Sequence, residues 1–339
     1  MFLGIDIGTS EVKVLLLSDN HQIVGTAGSA LDISRPAPGH SEQAPQDWWT
    51  ATQAACAELR GKHAAAFAQV RAIGLSGQMH GAVLLDAQHQ VLRPAMLWND
   101  TRASQECLDM MAELPTSPQL AGSLIMPGFT APKLRWLARH EPEVFARVAK
   151  VLLPKDYVRL MLTGDCVSDM SDASGTAWLD VAQRDWSDAL LALTGLSRAH
   201  MPRLVEGSAV SGLLTTSAAQ ALGLPAGIAV AGGGGDNAVS AVGMGAVDAG
   251  QGFLSLGTSG VLFVVTPSYQ PNAASATHAF CHAVPGRWHQ MRVMLSAASC
   301  LQWAAGLLGV PSAGELESRA SATAVVQRAA APIFLPYLS

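Results

Sequence analysis

Charge is the scarcest commodity in this 339-residue chain. Asp, Glu, Lys and Arg make up 14% of it, 26 acidic against 21 basic, for a net charge of −5 and a pI near 6.0. Without a basic surplus there is nothing to attract a nucleic acid or an anionic membrane surface, so neither is expected as a partner. Cysteine is sparse too: Cys56, Cys107, Cys166, Cys281 and Cys300 are odd in number and scattered. That pattern predicts free thiols in a reducing compartment rather than a disulfide framework. Apolar runs are short and interrupted by Gly or polar residues, so no transmembrane helix is expected. The opening Phe2-Leu3-Gly4-Ile5-Asp6 has neither the basic stretch nor the cleavage site of a signal peptide, and a cytoplasmic location follows as the expectation. Several catalytic signatures are missing as well. There is no G-x-x-x-x-G-K-[ST], no G-x-S-x-G, and the one long glycine run does not have G-x-G-x-x-G spacing. His278-x-x-Cys281-His282 matches no structural zinc spacing.

What is present starts at residue 2. Apolar runs at Phe2 to Ile7 and Val12 to Leu17 flank Gly8-Thr9-Ser10, which reads as a β-hairpin with a tight turn. Asp6 interrupts a strand that otherwise reads as buried, where an unpaired charge is costly. The turn offers backbone N–H groups and two hydroxyls that can hold an anion. A carboxylate beside an anion-holding turn suggests a metal ion bridging the two. Gly252 to Val265 repeats the pattern: aligning Gly257-Thr258-Ser259 with Gly8-Thr9-Ser10 pairs Ile5 with Leu254, Ile7 with Leu256 and Val12 with Val261, and sets Asp6 against Ser255. Such a duplication predicts two related domains facing across a cleft, with Mg²⁺ and a nucleotide triphosphate held between two hairpins.

Between the hairpins, strand-like segments at Gln22 to Ala27, Arg71 to Gly77, Ala82 to Asp86 and Ile228 to Ala231 alternate with helical spacing at Trp48 to Leu59, Thr130 to His140 and Pro154 to Leu162, a mixed α/β pattern. Ser168 to Thr176 reads as an Asp-, Ser- and Gly-rich loop. Gln78-Met79-His80-Gly81 breaks a strand with hydrogen-bonding and soft groups suited to a polyhydroxylated ligand; a buried, backbone-satisfied histidine is the plainer alternative. Gly232 to Gly235 lead into Asp236-Asn237, and a helix is expected over Ala238 to Gly245. The carboxylate is well placed as a general base in a Gly-lined cleft, or, more plainly, as a helix N-cap. After Val265 remain a strand (His289 to Leu295), a helix (Ala297 to Leu308) and an apolar, strand-like end at Ile333 to Leu338, so the second domain is expected to be incomplete.

Taken together, GIDIGTS (4 to 10), SGQMHG (76 to 81), LWND (97 to 100), MPGFTAPKL (126 to 134), LLPKDYVRL (152 to 160), SDMSDASGT (168 to 176), GGGGDNA (232 to 238), LSLGTSGV (254 to 261) and MLSAASCLQW (294 to 303) resemble the FGGY family of carbohydrate kinases over essentially the whole chain. The resemblance implies an actin-like ATPase fold with duplicated, ribonuclease H-like domains and a cleft between them: residues 1–245 as the N-terminal domain and 246–339 as the start of the second. It also implies ATP-dependent phosphorylation of D-xylulose at the 5-hydroxyl, QMHG being the stretch that favours that sugar. By the match, Asp236 would take the hydroxyl proton, and Gln78, Met79, His80 and Asn237 would hold the sugar. Asp6 would act on Mg²⁺ through water. Gly8, Thr9, Ser10, Gly257, Thr258 and Ser259 would hold the ATP phosphates, with Lys13 neutralising the transferring group. Glu11 replaces a small residue common in this turn and is expected to point away from the phosphates. A sugar-binding fragment without kinase activity and a kinase for another ketose such as ribulose are the competing expectations, and a homodimer is left open.

Overall fold

The computed structural model describes every residue except 258, 325, 326, 328, 336, 337 and 339. Alternation along strand β1 (Phe2–Ile7) puts Leu3, Ile5 and Ile7 on a fully buried face and Gly4 and Asp6 on the other. Strand β2 (Glu11–Leu17) returns antiparallel, with Val14 opposite Ile5, Val12 opposite Ile7 and Lys13 opposite Asp6. The expected hairpin is therefore present, and strand β3 (Ile23–Ala30) extends it antiparallel. On its other side β1 pairs in parallel with β4 (Ala72–Gly77). Beyond β4 lie β5 (Val210–Leu213) at the edge and β6 (Ala229–Ala231), giving the order β5-β6-β4-β1-β2-β3. The two-residue strand β7 (Gly234–Gly235) also pairs in parallel with β4.

Helix α1 (Pro45–Lys62) covers the buried face with Trp48, Ala55, Cys56 and Leu59. Its ends are well chosen: Pro at the first turn, Asp47 near the N-terminus, and Arg60 and Lys62 in the last turn, where the helix dipole favours them. A second apolar cluster, built around Leu134, Leu137, Trp178 and Leu190, packs α2 (Thr130–His140) into the helix-rich middle of the chain. Helix α3 (Pro154–Thr163) starts on a proline and stops at Gly164, whose φ of 79° is left-handed. Ser168 to Thr176 is not a loop. It runs from a short strand, Val167–Asp169, into helix α4 (Met170–Ser174), because the Asp169 carboxylate caps the N–H groups of Ser171 and Asp172.

Helix α5 spans Asp236–Gly243, two residues earlier than expected. The second hairpin forms as β8 (Gly252–Leu256) and β9 (Gly260–Thr266), in a four-stranded antiparallel sheet with β10 (His278–Cys281) and β11 (Trp288–Met294). Its register departs from the alignment. Leu256 faces Gly260, whereas Ile7 faces Val12, so the second turn is one residue tighter and Val261 lies opposite Ser255. With a side-chain period of two, that slip sends Val261 to the other face of the ribbon from Leu256. Phe263 and Val265 pack on Ala241 and Ala246, while Leu254, Leu256 and Leu262 face outward. At the apolar end Ile333, Phe334 and Leu335 are exposed and form no strand, and Pro336 and Tyr337 lie outside the described residues.

A charged cluster sits in the interior between α3 and α4. The Lys155 ammonium lies 2.6 Å from Asp156, 2.8 Å from Asp169 and 3.0 Å from Asp172, and all four side chains are fully buried. Burial alone would lower the Lys155 pKa, but the three carboxylates outweigh it and hold the ammonium above its ordinary range. Burial pushes Asp172 well above the usual carboxylate range against the pull of Lys155. Lys155→Met strips the shared cation from the cluster. Chemical denaturation should show a loss of about 3–5 kcal/mol; a loss under about 1 kcal/mol would mean the carboxylates find other partners.

Candidate active site

Ile7 of β1 and Gly235 of β7 both stand beside Gly77 of β4. The residues that follow them, Gly8, Gln78 and Asp236, therefore leave the sheet side by side at one edge. This is where an open α/β sheet offers a ligand crevice. A cavity of about 1180 Å³ runs along the face of the sheet that carries Asp6 and Lys13 and reaches Asp236, with Leu75, Ser208 and Ser240 also on its border; Gly8, Thr9, Ser10, Gln78, Met79, His80 and Asn237 do not line it.

The first turn is closed by the Gly8 N–H donating to the Glu11 carbonyl at 3.1 Å. Thr9 Oγ1 accepts from the Trp98 indole at 3.0 Å and donates to Gln78 Oε1 at 3.0 Å. Gln78 Nε2 donates to the Gly8 carbonyl (3.3 Å) and to Gln43 Oε1 (3.1 Å), and Gln43 Nε2 donates to the Thr9 carbonyl (2.7 Å). Trp48 Nε1 completes the set at Gln43 Oε1, 3.0 Å away. Gln78 thus differs from its expected part as a sugar ligand: its buried amide is used in bracing the turn. The Thr9 hydroxyl is engaged in the same way. That leaves the exposed Ser10 hydroxyl and the turn's backbone to face an anion. Lys13 is exposed, 3.7 Å from Glu11. Glu11 borders the cavity and lies so close to Gly28 of β3 that a Cβ there would come within 1.8 Å of its Oε1.

Asp236 is the first residue of α5 and makes no cap bond; Gly235 holds the N-cap position. Its Oδ1 accepts from the Asn237 N–H (2.7 Å) and Nδ2 (2.9 Å), which brings those two expected site residues together and leaves Oδ2 without a protein partner among the described residues. Burial raises the Asp236 pKa to about 6 and the Asp6 charge across the cleft adds to the rise, against the Asn237 hydrogen bonds. The glycines before it admit no side chain. A Cβ at Gly232, Gly233, Gly234 or Gly235 would come within 2.3, 2.1, 2.8 or 2.8 Å of Glu206, Leu75, Ser171 or Met79 respectively.

Met79 packs on Gly235, and His80 follows with a φ of 70°. His80 Nδ1 donates to the Gly175 carbonyl at 2.6 Å, and the ring stacks on Phe129 at 4.6 Å between centroids. Burial lowers its pKa to about 3, so the ring is neutral and Nε2 is an acceptor. Lys133 was legible only as a helix residue. Its ammonium donates to the carbonyls of His80 (3.0 Å), Met96 (3.3 Å) and Gly128 (2.7 Å), tying the loop down, and burial lowers its pKa to about 7. Gly257 and Ser259 do not border the cavity shared by Asp6 and Asp236; Gly257 donates to the Ser259 carbonyl at 2.9 Å. Thr258 lies outside the described residues.

Residues 1–243 match the N-terminal domain of the FGGY family of carbohydrate kinases. The chain belongs to the FGGY family. The xylulose kinases of Escherichia coli (strain K12) and Klebsiella pneumoniae are each 54% identical over 340 residues, all of this chain and 69% of theirs. The crystal structure of a xyloylose kinase from Brucella ovis is 53% identical with a TM-score of 0.91, covering 94% of this chain and 65% of that one. A gluconate kinase from Lactobacillus acidophilus, 23% identical with a TM-score of 0.92 over 99% of this chain and 68% of that one, shares the fold. The fold is thus the actin-like ATPase fold of the FGGY kinases. Among the described residues no helix is long and apolar enough to cross a membrane.

A carboxylate whose pKa rises from 3.8 to about 6 on folding weakens the fold as pH climbs through that interval. The folded state holds the proton more tightly, so the cost is absent below pH 4 and complete above pH 6. Asp236→Asn removes it. Urea unfolding should find the variant more stable by on the order of 2–3 kcal/mol at pH 7.5 and equal near pH 4.

Proposed function

We propose that this chain carries the sugar site and the base of an ATP-dependent kinase that converts D-xylulose to D-xylulose 5-phosphate. The observation that supports the substrate is the 54% identity to xylulose kinases along the full chain. The Asp236 Oδ2 takes the proton of the 5-hydroxyl as that oxygen forms its bond to the γ-phosphorus. The bond from that phosphorus to the oxygen bridging it to the β-phosphate breaks, and ADP leaves. A pKa near 6 keeps Asp236 mostly ionised at neutral pH yet basic enough to accept a proton. His80 Nε2 accepts from a sugar hydroxyl; Asn237 and Met79, which touch Asp236 and Gly235, help hold the sugar; and the Ser10 hydroxyl with the turn backbone, helped by Lys13, holds phosphate oxygens. Gly257, Thr258 and Ser259 take the phosphates from the opposite side once the cleft closes.

Mg²⁺ fits Asp6. That carboxylate stands on the cleft face with no hydrogen bond or ion pair among the described residues, and Mg²⁺ takes one or two carboxylates together with phosphate oxygens and water. The ion would neutralise the charge on the transferring phosphate. The division into domains at 245/246 and a cytoplasmic location belong to the same proposal.

The test uses residues 1–339 continued by the C-terminal third of the Escherichia coli relative. Asp236→Ala should lower sugar-dependent ADP formation about 10³-fold with folding intact; normal turnover sinks Asp236 as the base. A panel of D-xylulose, D-ribulose, glycerol and gluconate should show D-xylulose preferred, and a preference for another member overturns the substrate.

A further inference from the structure

Four consecutive glycines are a poor foundation for a base, since glycine has the widest backbone freedom of any residue. The run is nevertheless gripped at both ends by the buried charged cluster. At the start, the Arg159 guanidinium donates to the carbonyls of Ala231 (2.6 Å) and Gly232. At the finish, the Gly235 N–H donates to Ser171 Oγ at 3.2 Å. Ser171 in turn donates from Oγ and from its backbone N–H to Asp169 Oδ2, at 2.5 and 2.8 Å. Asp169 Oδ1 is held by Lys155 at 2.8 Å. A chain of contacts thus runs from the interior ammonium, through one carboxylate and one hydroxyl, to the N–H of Gly235, the residue immediately before Asp236. The segment reaches the sugar side too, because Gly175, at the end of α4, receives the His80 Nδ1 hydrogen bond.

We infer that Ser171 is a positioning residue for Asp236, transmitting the rigidity of the Lys155–Asp169 pair to the glycine run. Arg159 fixes the other end of the run, and α4 sets the base and His80 from one short element. A serine hydroxyl is suited to this post: it accepts from Gly235 and donates to Asp169 at once, which neither a carboxylate nor an ammonium can do. The inference rests on the reading of Asp236 as the base, and its test separates the two.

Amide hydrogen exchange over residues 232–237 is followed by mass spectrometry in the chain and in Ser171→Ala, and turnover is measured in the extended chain described above. Removal of the hydroxyl should speed exchange at least tenfold. It should lower kcat 10- to 100-fold with the sugar KM changed less than threefold, and move the acid limb of the kcat profile to lower pH as water reaches Asp236. Ser171→Cys fills nearly the same space with a poorer acceptor, so it keeps the fold and should fall between Ser171→Ala and the parent. Unchanged exchange overturns the inference, as does faster exchange with undiminished kcat. If Asp236→Asn itself turns over normally, it is the base assignment that fails, and the exchange result alone then decides whether Ser171 secures the glycine run.

Discussion

The parallel pairing of β1, β4 and β7 is the constraint on which the site depends. One row of backbone partners, Ile7, Gly77 and Gly235, decides that the Gly8-Thr9-Ser10 turn, the Gln78 to Gly81 loop and Asp236 emerge at the same edge. A slip of one residue would turn Asp6 toward the apolar face, because faces alternate with every residue. The register is pinned by the buried set Leu3, Ile5 and Ile7 with Val12, Val14 and Leu16. Hydrophobic burial behind the sheet thus sets the electrostatics in front of it.

Charge is handled in two opposite ways within a short distance. Behind the glycine run, Lys155 and Arg159 lie among three aspartates in complete burial. In front, Asp6 and Asp236 both border the cavity, and the Asp236 pKa is raised first by burial and further by the Asp6 charge. The interior carboxylates are paired with cations, whereas Asp236 is held only by Asn237 and faces open space.

Much of the fold could be read from the chain. The first hairpin, the helix over Thr130–His140 and the strand ending at Gly77 follow from period and punctuation. What could not be read shares a physical cause: each depends on partners distant in sequence. Gln78 looked like a sugar ligand because a glutamine amide serves a hydroxyl or a peptide equally well, and only the fold brings Gly8 and Gln43 to it. Lys155 and Lys133 look like ordinary helix residues, and Ser171 like a loop residue, until three carboxylates, three carbonyls or the Gly235 N–H gather around them. The tighter second turn escaped because two hairpins with the same three turn letters can close at different registers.

The glycine run also bears on how such a site can change over time. A Cβ at 232 or 233 would meet backbone oxygens, and one at 234 or 235 the side chains of Ser171 and Met79, so the stretch before Asp236 strongly favours glycine. Met79 packs on that run and His80 bonds to Gly175, both from a loop outside it. On the proposed reading of Asp236 as the base, change at His80 alters the sugar side without touching the glycine run.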